Sequence, residues 1–384
     1  MFKFLFFLIA TCITFQSQAQ ENPNKTDTSP ADSILLKQLE QQMLEPTPST
    51  SPSTTQARTS PTLNPKISVI GDFESEWRSK AKRNLSTYLK EMEFSFQAAV
   101  DPYARADVFF SVEKDRVTGE FHGSIEEAYL TSLSLPFQLQ LKVGRFKNAL
   151  GKINIVHSHA QPFITAPVAY EKFFGDGLDD EGVSLSWLIP NPAFYQEIVM
   201  ELTDGPTDSP IFARSSSNNL LKLVHLKNFW DLSANSTLEF GLTGVLGANS
   251  NNLNTKVGAF DLTYKWKPIQ FNTYKSITSQ TEWFFTGIDQ PTAAEAINSW
   301  GMYSLFSYQF ARRWFGTARY DFSKDPYLPS DKIKAYTAMV GWFATEFQKI
   351  EFESQLDDPT LGSSYVQVLL RWIFVIGSHG AHKY

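Results

Sequence analysis

Beyond residue 65, hydrophobic and polar positions alternate with period two in one short run after another. In PFQLQLKVGRF (136–146), Leu139, Leu141 and Val143 share one face while Gln138, Gln140 and Lys142 share the other, the pattern of a half-buried strand. The last run, SYVQVLLRWIFVIG (364–377), is more complete. It puts Val366, Val368, Leu370, Trp372, Phe374 and Ile376 on one side, with Gln367 and Arg371 on the other. Sixteen such runs can be marked: 66–75, 88–100, 102–113, 121–133, 136–146, 182–190, 194–203, 219–228, 235–247, 255–266, 274–287, 297–310, 313–323, 333–345, 347–356 and 364–376.

The links between the runs alternate in length. Those at 100–103, 134–136, 190–192, 311–313 and 344–348 are tight, and 228–235 and 267–274 on the same side are looser. Between them fall longer polar links at 76–87, 114–120, 147–181, 204–218, 248–254, 288–296, 324–332 and 357–363. Short turns at one end, long loops at the other and an even strand number predict an all-β fold, a transmembrane antiparallel β-barrel of about 16 strands. Only helices and closed barrels satisfy every backbone polar group in hydrocarbon. A secreted sandwich or propeller would bury the same apolar faces as core. Against it stand charges spread over the opposite faces, and aromatic residues near strand ends: Tyr103, Phe109, Phe110, Tyr129, Trp187, Tyr195, Trp230, Trp266, Trp283, Trp300, Trp314 and Trp342. Two interfacial girdles would place them so.

Composition sharpens the picture at the N-terminus. MFKFLFFLIATCITFQSQAQ has one lysine, a short apolar run and Ser17-Gln18-Ala19 before the expected cut, so residues 1–19 read as a secretory signal peptide rather than a span of about 20 residues. Residues 20–44 form a periplasmic segment with a short helix, in which Ile34, Leu35, Leu39 and Met43 lie near one face behind Asp32 or Ser33 as cap. Residues 45–65 are a Ser/Thr/Pro-rich disordered linker, and 66–384 the barrel. Cys12 is the only cysteine, and Thr11 before it fits lipid modification poorly. The mature chain therefore has neither a disulfide nor a thiolate metal site. The formal charge is −6, and −7 once Lys3 leaves with the signal, which excludes nucleic acid as a partner.

The segment from Arg145 to Gly182 refuses to alternate and carries two histidines, three lysines and a closing acidic cluster. Long loops within ordered domains are commonly functional. The strand-to-loop junction VGRFKNALGKIN (143–154), after the acidic run IEEAYL (125–130) and the turn at Pro136, resembles that of Gram-negative outer-membrane porins. It is most similar to the porin O/P-like set, in which a "GRFK…GK" junction leads into a long loop; the resemblance covers 66–384 and includes the HGAHKY end (379–384). It implies a sixteen-strand channel for small hydrophilic solutes or ions in the bacterial outer membrane, often a homotrimer, seated in outer-membrane lipid by the barrel-assembly machinery. It also implies that the third outer loop, here 147–181, folds inward and narrows the pore.

The candidate constriction residues are then Arg145, Lys147, Lys152, His157, His159, Glu171, Lys172, Asp176, Asp179, Asp180 and Glu181, with opposed charges setting a transverse field. Strand phase puts Glu91, Glu93, Arg105, Asp107, Glu127, Lys142, Glu197, Glu201, Lys222, Asp261, Lys265, Glu282, Arg319, Asp321, Glu351, Glu353 and Arg371 toward the lumen. Acids outnumber bases there, so the channel is expected to lean toward cations or be weakly selective. That departs from the lysine-lined phosphate-selective members of the family. His157 and His159, and near the end His379 and His382, could each share a metal on an extended segment. No third ligand is fixed by spacing, so loop hydrogen bonding is the expected role, and no metal or cofactor is assigned.

No GxSxG, HExxH or glycine-rich phosphate loop occurs, and DGLDDEG lacks the spacing of a calcium hand, so no enzyme is expected. A nutrient or metal receptor with a folded plug would need more than residues 20–64 offer. A structural envelope barrel tethered through its N-terminal helix is compatible with the channel.

Overall fold

The computed structural model describes residues 65–377, apart from 82–83, 115–117, 191–192, 207, 215–218 and 292–294. The expected signal peptide, periplasmic segment and linker up to residue 64, and the terminal His379, His382 and Tyr384, lie outside the described residues.

Sixteen strands form in chain order: β1 (Lys66–Arg78), β2 (Leu85–Asp101), β3 (Ala104–Lys114), β4 (Phe121–Ser132), β5 (Leu139–Lys147), β6 (Asp179–Ile189), β7 (Tyr195–Thr203) and β8 (Leu221–Ser233), then β9 (Ser236–Ala248), β10 (Asn254–Trp266), β11 (Ser276–Ile288), β12 (Ile297–Ala311), β13 (Trp314–Lys324), β14 (Lys332–Thr345), β15 (Gln348–Pro359) and β16 (Tyr365–Gly377). Each pairs antiparallel with its chain neighbours, and β16 returns to β1 with Ser68 opposite Gly377 and Arg78 opposite Gln367. Closure leaves no edge strand with unpaired backbone groups.

The loop rhythm is as expected, with two refinements. β8 continues to Ser233, so the loose link at 228–235 is a two-residue turn at 234–235. β5 begins only at Leu139, because Pro136–Gln138 form a 3-10 turn with Phe137 and Gln138 at positive φ.

The two faces of the wall are chemically opposite. Val143, Val183, Leu202, Val224, Leu242, Leu262, Leu370 and Trp372 are exposed on the outside. Asp72, Glu93, Asp261, Glu282, Asp321, Glu351, Glu353 and Arg371 are buried inside. Aromatic rings stack along the outer wall, with Trp283 5.5 Å from Trp300 and 5.9 Å from Phe260, and Trp314 6.0 Å from Trp342. Three residues assigned to the girdles take the inward phase instead, among them Tyr195, whose hydroxyl donates to inward Glu197 at 2.7 Å. Phe109 is buried with its ring 4.8 Å from His157, and Tyr129, in phase with buried Thr131, lies under the Lys142 ammonium at 4.5 Å.

Inside, the alternation is not uniformly polar. From β8 to β12 the inward positions include Leu221, Leu223, Val245, Val257, Phe284, Tyr303 and Leu305. They pack against Leu150, Ile153, Phe163, Phe173, Phe174 and Leu178 of the segment between β5 and β6. That segment thus lies within the barrel, seated on an apolar patch; each buried Phe or Leu contributes about 2 kcal/mol to holding it there. It carries the short helix α1 (Val168–Phe174), which begins after Pro167 and packs on β12 and β13. Its seven residues, which follow Pro162 and Pro167, are too few to read as a helix from the sequence.

Candidate channel constriction

The loop leaves the wall at the GRFK…GK junction. Gly144 is opposite Gly182 and has φ 133°; a Cβ there would stand 2.2 Å from the Ala128 carbonyl oxygen, so β5 approaches β4 more closely than a side chain permits. The Phe146 ring is fully buried and the Lys147 amide donates to Glu127 (3.2 Å), so the chain turns inward here. Gly151, at φ 61°, makes the turn that lets the Lys152 and Ile153 amides meet Glu282 at 3.1 and 2.9 Å.

Irregular backbone inside a membrane barrel must find partners for its N–H groups, and here the wall supplies carboxylates. Glu201 of β7 accepts from the Ala149 amide and the Asn148 side chain, both at 3.0 Å. Glu353 of β15 accepts from the Ile164 and Thr165 amides (2.8 and 3.0 Å) and the Thr165 hydroxyl (2.6 Å). Asp321 of β13 accepts from the Val168 amide at 3.3 Å. With Glu127 of β4 and Glu282 of β11, inward acids from five separated strands hold one loop. Asn154 ties its two limbs together, donating to the carbonyls of Asn148 and Leu178 (2.7 and 2.8 Å) and accepting from Tyr170 at 2.5 Å.

The bases join the same scaffold. Lys152 reaches Glu239 at 2.7 Å. Arg319 binds Asp321 at 2.8 Å, donates to the Thr165 carbonyl at 2.6 Å and lies over the Phe163 ring at 4.5 Å. Lys349 donates to the His159 carbonyl (3.2 Å) and pairs with Glu351 (3.0 Å).

On the β2–β4 side the loop meets a concentration of acids. Nδ1 of His157 is 2.9 Å from Glu93 and its Nε2 2.7 Å from Glu127; Ser158 donates to Glu91 at 2.8 Å. Burial alone would push the His157 imidazole down, and its hydrogen bonds to Glu126, Glu127 and Glu93 outweigh that and raise it well above its ordinary value.

The expected site residues therefore divide. Lys147, with its ammonium 4.0 Å from Glu126, and Lys152, His157, His159 and Asp180 face the interior. Asp180 accepts from the Gly205 amide, across the base of the loop. Lys172 pairs with Asp325 at 3.4 Å, while Glu171 and Asp176 stay solvent-facing. Arg145 and Glu181 do not point into the lumen. They are register partners on the face of Val143 and Val183, which is outward, and Arg145 binds Glu181 (2.9 Å) and Asp179 (2.5 Å) there at the loop base. Lys222 is likewise outward, in phase with exposed Val224.

Glu93, Arg105, Asp107, Glu127, Lys142, Glu201, Arg319, Asp321 and Arg371 take the inward phase, as do Glu91, Glu197, Asp261, Lys265, Glu282, Glu351 and Glu353. Sequence reasoning missed inward Asp72, Glu74 and Glu76, although the alternation of β1 carries that signal. It also missed Lys90 and Glu126, each the extra residue of a bulge, which no periodicity reveals.

No family model matches the sequence. An uncharacterised protein of Aquifex aeolicus (strain VF5) is 26% identical over 326 residues, covering 73% of this chain and 68% of its own. Among solved structures, an anion-selective porin from Comamonas acidovorans superposes with a TM-score of 0.57 at 10% identity, covering 82% of this chain and 99% of that one. The chain has the fold of the porin barrels. This porin-like barrel is also similar to OpdK of Pseudomonas aeruginosa, with TM-score 0.51 and 10% identity over 82% of this chain and 99% of that one. It is similar as well to the outer-membrane channel DcaP of Acinetobacter baumannii, with TM-score 0.54 and 10% identity over 82% and 98%. At such identities the likeness is one of fold, and the loop anchors are read from the porin-like barrel itself.

Proposed function

We propose that the barrel is a passive channel for small hydrophilic solutes, that the loop from Asn148 to Leu178 sets its width, and that its lumen leans toward cations. The observation that carries this reading is the attachment of one inward loop to carboxylates on β4, β7, β11, β13 and β15. A loop held at so many points around the wall keeps a fixed cross-section, as a sieve needs. The backbone amides that donate to these acids bring no positive charge of their own. The inward acids, to which Asp72, Glu74, Glu76, Glu126, Glu239 and Asp357 are added, outnumber inward Lys90, Arg105, Lys142, Lys147, Lys152, Lys227, Lys265, Arg319, Lys349 and Arg371. Such a surplus favours cations. Anion selectivity belongs to the Comamonas porin by its description and is not carried over. In this reading the protein is no enzyme, and it sits in outer-membrane lipid after insertion by the assembly machinery. A trimer is the oligomer to test first, since an OmpT of Vibrio cholerae is described in a trimer form.

The test is the single-channel current of the refolded mature protein in a planar bilayer under a salt gradient. Stable ohmic steps with a reversal potential of cationic sign are expected. Steps of anionic sign would overturn the selectivity, and a folded barrel that passes no current would overturn the channel.

A further inference from the structure

We propose that Glu93, His157 and His159 form a site for a divalent transition-metal ion, and that the ion ties the constriction loop to β2. The three residues are buried and offer one ligand atom each within 4.8 Å of one another. Both imidazoles direct Nδ1 at the same carboxylate oxygen, Oε2 of Glu93, at 2.9 Å from His157 and 3.4 Å from His159. Ligands about 2.0–2.2 Å from a tetrahedral ion stand roughly 3.4 Å apart, and the two contacts to Glu93 lie within about half an ångström of that span. The spacing of His157 and His159 left the third ligand open; the fold supplies it from a strand more than sixty residues earlier.

Three further observations point to an ion rather than to hydrogen bonding alone. The Nε2–H of His157 donates to Glu127 at 2.7 Å, the carboxylate–histidine arrangement that orients a ligating imidazole and turns its other nitrogen to the metal. Glu93 Oε1 is buried and has no hydrogen-bond partner among the described residues. Around the site the carboxyls of Glu91, Glu93, Glu126 and Glu127 face the Lys147 ammonium and the His157 imidazole, so acidic groups outnumber basic ones where a dication would sit. The ion takes the position of the His157 Nδ1 proton, releasing it. Glu126 Oε2 lies 3.2 Å from that nitrogen. Two imidazoles with carboxylates and no thiolate select a borderline ion of the Zn²⁺, Ni²⁺ or Co²⁺ kind over Mg²⁺ or Ca²⁺, which take all-oxygen shells.

The site is tested on the refolded mature chain, stripped with chelator, with His379 and His382 replaced by alanine so that the terminal pair contributes nothing. Isothermal titration with ZnCl₂ is expected to show one saturable site. His159→Ala and Glu93→Gln should each weaken it roughly tenfold or more, and Glu127→Gln should weaken it within the 10–100-fold range of outer-shell partners. Heat-modified gel mobility certifies that each variant is folded. Co²⁺ added to the barrel with its site residues unaltered should give the intense visible absorption of a tetrahedral ion, which needs no site variant. Absence of saturable binding, or affinity unchanged in both His159→Ala and Glu93→Gln, overturns the proposal. Binding is read without current, so failure here and failure of the channel reading are separate results.

Discussion

The Arg371 guanidinium of the last strand closes on the Asp72 carboxylate of the first, with Nη2 2.5 Å and Nε 2.9 Å from Oδ2, both side chains buried. Glu74 and Glu351, the register partners of Arg371 on either side, lie 3.9 and 3.8 Å away. The seam of the barrel is thus fastened by one cation among three acids. Asp72→Ala removes the partner of a buried charge and should destabilise the barrel by about 3 kcal/mol, measured as a lower urea midpoint. The double variant Asp72→Ala/Arg371→Met should lose less than the sum of the single variants, because the second change removes the stranded charge.

The assignment of faces makes a separate prediction at the middle of β9. Leu242 is about half exposed on the outer wall, with Gly241 and Thr243 inward. Leu242→Arg puts a charge into hydrocarbon and should cost about 2–4 kcal/mol of folding stability in lipid bilayers, whereas Leu242→Phe should be near neutral. Equal stability of the two variants would show that this face does not meet lipid.

Loop seating should be separable from barrel stability. Phe174 is fully buried, 5.4 Å from Phe284, and Phe174→Ala removes about 3–5 kcal/mol of local packing. Glu353→Ala strips three donors of their acceptor. Both variants should give larger, more variable current steps and a protease-sensitive loop while the urea midpoint of the barrel stays in place. Unchanged steps would mean that the loop does not set the width.

Acid should loosen the turn that holds α1. Partial burial works to raise the Asp325 carboxyl, and hydrogen bonds from the Tyr327 and Leu328 amides, with the Lys172 ammonium, overcome it and hold it below its usual range. A depressed carboxylate gives stability that is present above its unfolded value, about 3.9, and lost as pH falls through the lower folded value. Current noise should therefore rise on acidification below about pH 4, and Asp325→Asn should show that noise already at neutral pH. A quiet Asp325→Asn channel would exclude the turn as a holder of the helix.

The wall was legible because lipid on one side and water on the other impose a strict period of two. All sixteen runs are strands, and the outward set of the last one, from Val366 to Ile376, is in phase with exposed Leu370 and Trp372. The errors fall where that period breaks. Bulges opposite Asp72–Phe73 and Phe109–Phe110 bring Lys90 and Glu126 inward beside residues that alternate correctly. Alternation over 219–228 puts Lys222 inward, yet the register sets it opposite outward Leu246. The loop's position and length could be read, and its inward fold was implied by resemblance. Its apolar underside could not be recognised, because Leu150, Ile153, Phe163 and Phe174 follow no period and acquire meaning only against Phe284 and Tyr303.

The wall acids that hold the loop also order events in time. The contacts of Thr165 with Gln355, and of Lys349 with the His159 carbonyl, join residues 190 positions apart, so they form only after most of the chain has been threaded into place. The strands can pair one after another as they arrive, while the loop must wait for β13 and β15 before it has anything to grip. Seating is then the last step of maturation, and a barrel caught before it would be a wider hole than the finished one. On the proposed channel reading, a cell that makes this protein bears that leak for as long as the final strands take to arrive.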